Sequence, residues 1–121
     1  MRDTVYFLVF EGFADWQAAL ALCEIRRPGD WLVRTVGFSS AAVVSMGGLT
    51  VSPDVTLARI DVERAALLVV PGGHLWQRGD GDAAVAAIRR VHDGGAPVAA
   101  IANGGLAGAP SGLLEGWRHR R

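Results

Sequence analysis

Three short runs, Val5-Tyr6-Phe7-Leu8-Val9-Phe10, Ala66-Leu67-Leu68-Val69-Val70 and Val98-Ala99-Ala100-Ile101, are apolar without alternation. A strand with one wet face alternates apolar with polar residues. A strand covered on both faces has no reason to, and such runs mark a parallel sheet held between helices. The segments between the runs supply those helices. Residues 14–26 carry Asp15 in the opening turn and Arg26 in the closing one, both favourable to the helix dipole, before Pro28-Gly29 stops them. Residues 82–93 place Val85, Ile88 and Val91 on one side and end at Gly94-Gly95. Residues 32–38 read as a strand of mixed character. Residues 43–46 and 49–51 flank Gly47-Gly48, which predicts a hairpin with a two-residue turn. The expectation is one α/β domain over residues 1–121, with a mostly parallel sheet, helices on both faces and an inserted β-hairpin.

Composition narrows the function classes. Twelve Arg, with no Lys, balance twelve Asp plus Glu, so no bulk positive face exists to neutralise a phosphate backbone, and nucleic acid is excluded as a partner. The Arg-rich stretch 118–121 is too short to read as more than a solvated tail. No run approaches the ~20 apolar residues that span a bilayer, and residues 5–10 lack the length and cleavage site of a secretory signal. The single cysteine, Cys23, cannot form an internal disulfide. These features predict a cytoplasmic protein without a membrane partner. No cluster of ligand-type residues calls for a metal or a cofactor.

The first helix is apolar on nearly every side, through Trp16, Ala18, Ala19, Leu20, Ala21, Leu22, Cys23 and Ile25. One face belongs to the sheet. The other is covered either by a neighbouring loop or by a second copy, a homodimer through this helix.

Candidate site residues lie where the three runs end. In open α/β sheets the site forms beyond the carboxyl ends of the strands. Here those ends are Glu11-Gly12-Phe13-Ala14-Asp15-Trp16, Pro71-Gly72-Gly73-His74 and Ala102-Asn103-Gly104-Gly105. Glycines at such ends let backbone amides approach a ligand.

These residues, together with Cys23-Glu24-Ile25-Arg26-Arg27-Pro28-Gly29, Ser45-Met46-Gly47-Gly48 and Gly112-Leu113-Leu114-Glu115-Gly116, resemble the PfpI family. That family is intracellular protease- and amidase-like, within the class I glutamine amidotransferase-like superfamily. The resemblance implies a flavodoxin-like three-layer sandwich, incomplete here at its C-terminus because relatives continue past the position of Arg121. It also implies a nucleophilic cysteine at the elbow after Ile101, an acid beside it that Glu11 matches, and an oxyanion-binding pair that the amides of Gly73 and Asn103 match. Gly72 and His74 border that pair. Position 102 is alanine, whose methyl group can neither ionise nor form a covalent intermediate. The family's histidine is absent directly after the elbow, where Asn103 stands. Residues 104–112 carry interior glycines and Pro110, which weaken the helix that should follow.

Each candidate also has a plainer explanation. Glu11 could cap the first helix through its backbone amides. Asp15 suits the helix dipole, His74 reads as a solvated loop residue, His92 sits near a helix end, and Trp76 and Trp117 read as packing or rim residues. The residues leave three readings open. One is a pseudoenzyme that keeps a pocket for a small polar metabolite or acts by dimerising. Another is a hydrolase, amidase or aldehyde-converting enzyme with residual activity and Glu11 as general base on water. The last is a truncated remnant without function.

Overall fold

The computed structural model describes residues 1–101, the side chain of Gln77 excepted. The strand β1 (Thr4–Leu8) leads into the helix α1 (Asp15–Arg26) and the strand β2 (Leu32–Gly37). A hairpin of β3 (Val43–Val44) and β4 (Thr50–Val51) follows, then β5 (Val55–Thr56) and a 3-10 turn at Leu57–Arg59. The chain continues through β6 (Ala65–Val70), α2 (His74–Arg78), α3 (Asp82–Asp93) and β7 (Val98–Ala100). Five strands form one sheet in the order β5-β2-β1-β6-β7, and every pairing in it is parallel.

β1 is the centre of that sheet, and all five of its residues are buried. Val9 and Phe10 continue the buried run past the strand's formal end, with the Val9 N–H donating to the Val36 carbonyl at 2.8 Å. After β1 the chain crosses to β2 on one side, whereas β6 and β7 lie on the other. Right-handed crossovers running in opposite directions put their helices on opposite faces, which yields three layers. α3 fills its face well. Ala84, Ala87, Ile88 and Val91 are buried against β6, β7 and the 3-10 turn, and Arg90 Nη2 donates to the Leu57 carbonyl at 2.7 Å. α1 fills its face poorly. Ala18 is its one buried residue, while Trp16 and Leu20 are 68% and 75% exposed.

The opposite end of the sheet is closed by charge. Arg2 donates to the carbonyls of Val62 and Ala65 at 2.9 and 2.8 Å and to that of Gly94, so the chain entering β1 holds both the start of β6 and the end of α3. Beside it, Arg64 makes two hydrogen bonds to Asp3, at 3.1 and 2.5 Å. That guanidinium, helped by the Thr4 hydroxyl, holds the Asp3 carboxyl at about 2, below its ordinary 3.8.

The hairpin departs from the two-residue turn expected of Gly47-Gly48. The Ser45 N–H donates to the Leu49 carbonyl at 2.8 Å and the Gly48 N–H to the Ser45 carbonyl at 3.0 Å, enclosing a three-residue loop in which Gly48, and not Gly47, has positive φ, at 85°. Three-residue loops of this kind end on a left-handed residue. Gly47 serves a different need: a Cβ there would stand 2.7 Å from Asp15 Oδ2. β5, the 3-10 turn and α2 were not anticipated from the sequence. Among the described residues no helix is long and apolar enough to cross a membrane.

Candidate functional site

The strand order reverses direction between β1 and β6, and ligand sites of open α/β sheets form at such a switch point. Two loops meet there. The loop after β1 turns back on itself, with the Phe13 N–H donating to the Phe10 carbonyl at 3.0 Å and Gly12 at φ 79°, a conformation that side chains resist. The loop after β6 is Pro71-Gly72-Gly73, buried throughout, and it runs into α2.

An aromatic cluster lies under both loops. Phe10 packs edge-to-face on Trp76 at 5.4 Å and on Phe13 at 6.3 Å, and Phe13 packs on Phe7 at 5.8 Å. The Trp76 indole N–H donates to the Pro71 carbonyl at 2.8 Å, so α2 is fixed to the loop that precedes it. Gly73 crosses the Phe10 ring so closely that a Cβ would stand 2.6 Å from Cε1. No other residue fits there without moving the ring. Trp76 is therefore a packing residue, as the sequence suggested.

The Gly72 peptide group is engaged on both sides. Its N–H donates to Gln17 Oε1 at 2.9 Å, and its carbonyl accepts from the Ala14 N–H at 3.0 Å. Gly72 was expected to border the oxyanion-binding pair. Gly72 holds the loop against the first turn of α1, and Gly73 is the glycine that faces Phe10. Gln17 is the residue that the sequence reading missed. Nothing in its type or spacing marks it, since its role exists only once α1 lies beside the β6 loop.

Glu11 does not cap α1. The helix starts from Ala14 without any side-chain cap, and Glu11 Oε2 accepts the Val44 N–H of the hairpin at 3.1 Å. Three further bonds fasten the hairpin to the β1 loop. The Gly12 N–H donates to the Val44 carbonyl and the Met46 N–H to the Phe13 carbonyl, each at 2.8 Å, and the buried Ser45 hydroxyl donates to Asp15 Oδ2 at 2.5 Å. Asp15 thus serves the hairpin as well as the helix dipole. His74 is exposed and begins α2, where a loop had been expected. His92 is exposed near the end of α3, 3.6 Å from Asp93.

β7 brings the chain to the same edge. It pairs with β6 through Val70 and Ala100, and the Ile101 N–H donates to the Val70 carbonyl at 3.0 Å. Ala102 and Asn103 come next in the chain and lie outside the described residues, as does Trp117. Among the described residues no three His, Cys, Asp or Glu side chains gather as metal ligands.

Comparison with known proteins places this geometry. The model of the DJ-1/PfpI family matches residues 3–120. The uncharacterized protease YoaZ of Bacillus subtilis is 27% identical over 125 residues, which cover 95% of this chain and 58% of that protein. The chain thus spans a little over half of that relative's length. Among solved structures, the DJ-1 superfamily protein Atu0886 of Agrobacterium tumefaciens superposes with a TM-score of 0.85 at 28% identity, over 93% of this chain and 60% of that one. A mutant of a DJ-1 superfamily protein from Salmonella typhimurium, with a cysteine changed to alanine, gives a TM-score of 0.77 at 28% identity, over 94% and 63% of the two chains.

Replacing Gln17 by alanine would leave the buried Gly72 N–H without its acceptor, at a cost of about 1–3 kcal/mol. Gln17→Glu keeps an acceptor and should lose less than about 1 kcal/mol. Urea unfolding of both variants checks the order, and equal losses would remove the assigned role.

Proposed function

The chain belongs to the DJ-1/PfpI family, and on that premise we propose that it is a non-catalytic member, keeping the switch-point crevice for a small polar metabolite. The observation that carries this reading is the place of Ala102. It directly follows Ile101, whose N–H is bonded to Val70 one residue before the Pro71-Gly72-Gly73 loop. The family resemblance assigns the nucleophile to that position, and a methyl group supplies neither a thiolate nor an acyl carrier. The proposed ligand contacts are the Gly73 and Asn103 amides, with His74 at the margin and Gly72 as the holding residue.

The alternative of residual hydrolysis through Glu11 is the weaker one, because that carboxylate already accepts the Val44 amide and is exposed. A general base needs a positioned water and a partner group. Two experiments address the metabolite reading. Small amides, aldehydes and carboxylates should include at least one that raises the melting temperature. In Ala102→Cys the new thiol should react with iodoacetamide faster than Cys23, as the family resemblance implies for a thiol at this position. Absence of any thermal shift and slow labelling of residue 102 would together count against a retained site.

A second copy is the partner that the exposed face of α1 fits. Trp16, Ala19 and Leu20 fall on one stripe by helical spacing. The fastened hairpin adds Met46 and Leu49, 51% and 61% exposed, beside the start of that stripe. Sedimentation velocity at micromolar concentration should find a dimer that Leu20→Asp dissociates. A wild-type monomer throughout would remove the proposal.

A further inference from the structure

Away from the switch point, α1 and β2 border a groove of about 340 Å³ lined by Leu22, Cys23, Arg26, Arg27 and Val33. Its floor is apolar, from the half-buried Leu22 and Val33. Its rim is cationic. Arg27 is neutralised by Glu24, 2.5 Å away, whereas Arg26 has no ion-pair partner among the described residues. The carbonyls ending α1 contribute about half a negative charge. Among the described residues that one guanidinium exceeds it, which leaves the rim a surplus of about half a positive charge.

We propose that this groove binds an amphipathic monoanion, a carboxylate on a short unbranched hydrocarbon chain. The tail lies on Leu22 and Val33, where removing apolar area from water supplies the affinity. The carboxylate takes the Arg26 guanidinium, whose planar fork matches its two oxygens. A multiply charged anion suits the place badly, since the surplus charge is small and the floor offers no donors. The size lies at the lower end for small-molecule sites. The proposal involves none of residues 72–74 or 102, and it stands or falls independently of the metabolite reading.

Cys23 is the chain's single cysteine and lines the groove, so its alkylation reports occupancy directly. The probe is millimolar octanoate, kept below micelle formation, with 1-octanol and octylammonium as controls. Octanoate should slow iodoacetamide labelling of Cys23 at least about threefold, octanol less, and octylammonium not at all. Arg26→Gln, with an unchanged melt, should raise the half-protecting octanoate concentration by up to roughly fivefold, the scale of an exposed ion pair. Equal protection by octanol and octanoate, or no protection, would overturn the proposal. Protection without octanoate that grows with protein concentration would assign Cys23 to a contact between copies, and would overturn it as well.

Discussion

β1 is hydrogen-bonded along both edges and buried on both faces, and the rest of the molecule is arranged around that strand. A strand so enclosed is apolar except where a polar group finds a partner, as the Thr4 hydroxyl does in Asp3 and the Tyr6 hydroxyl in the Asp61 N–H. Its parallel neighbours depart in opposite directions, which opens a crevice at its carboxyl end. The same apolar run continues into Phe10, whose ring becomes the surface on which Gly73 rests. Core and site are therefore one continuous structure. The residue requirement at position 73 is imposed by packing from β1, whatever the crevice holds.

The inserted hairpin is fastened over the β1 loop by four hydrogen bonds that involve Glu11, Gly12, Phe13 and Asp15. Two of the acceptors are carboxylates, so the acidic residues at the site edge are committed to holding the insert. α1 begins beneath this assembly and is held through Ala14 and Gln17 to Gly72. Beyond that first turn it has little to rest on, and Leu20 stays exposed. A helix anchored at one end with an apolar outer stripe suits further contacts. The dimer proposed above uses the amino-terminal half of the helix, through Trp16 and Leu20, and the groove ligand its carboxyl-terminal half, through Leu22, Cys23 and Arg26.

Much of the fold was legible because burial on both faces leaves a composition that needs no partner information. The runs at 5–10, 66–70 and 98–101 correspond to β1, β6 and β7, and α3 has the bounds that its periodicity and its glycine stop indicate. β5 was not legible, since two residues cannot carry a period. α2 was hidden by the glycines before it, which read as the start of a loop. The site was legible only as far as backbone requirements reach: Pro71-Gly72-Gly73 announces a close approach, but not which glycine makes it. Side-chain roles escaped wherever they depend on a neighbour distant in sequence. Glu11 meets Val44 and Gln17 meets Gly72 because the layers bring them together, and no local pattern encodes either pair. The Gly47-Gly48 turn failed for the same reason, since Gly47 answers to Asp15 and not to the hairpin.

The absence of covalent chemistry is the central claim of the proposed function. Intact-protein mass spectrometry of a Cys23→Ser chain after incubation with p-nitrophenyl acetate tests it most directly, because the variant carries no thiol. The account predicts no acetyl adduct and nitrophenolate release at the buffer rate. An acetyl group mapped to the loops after β1 or β6, or release well above the buffer rate, would contradict it.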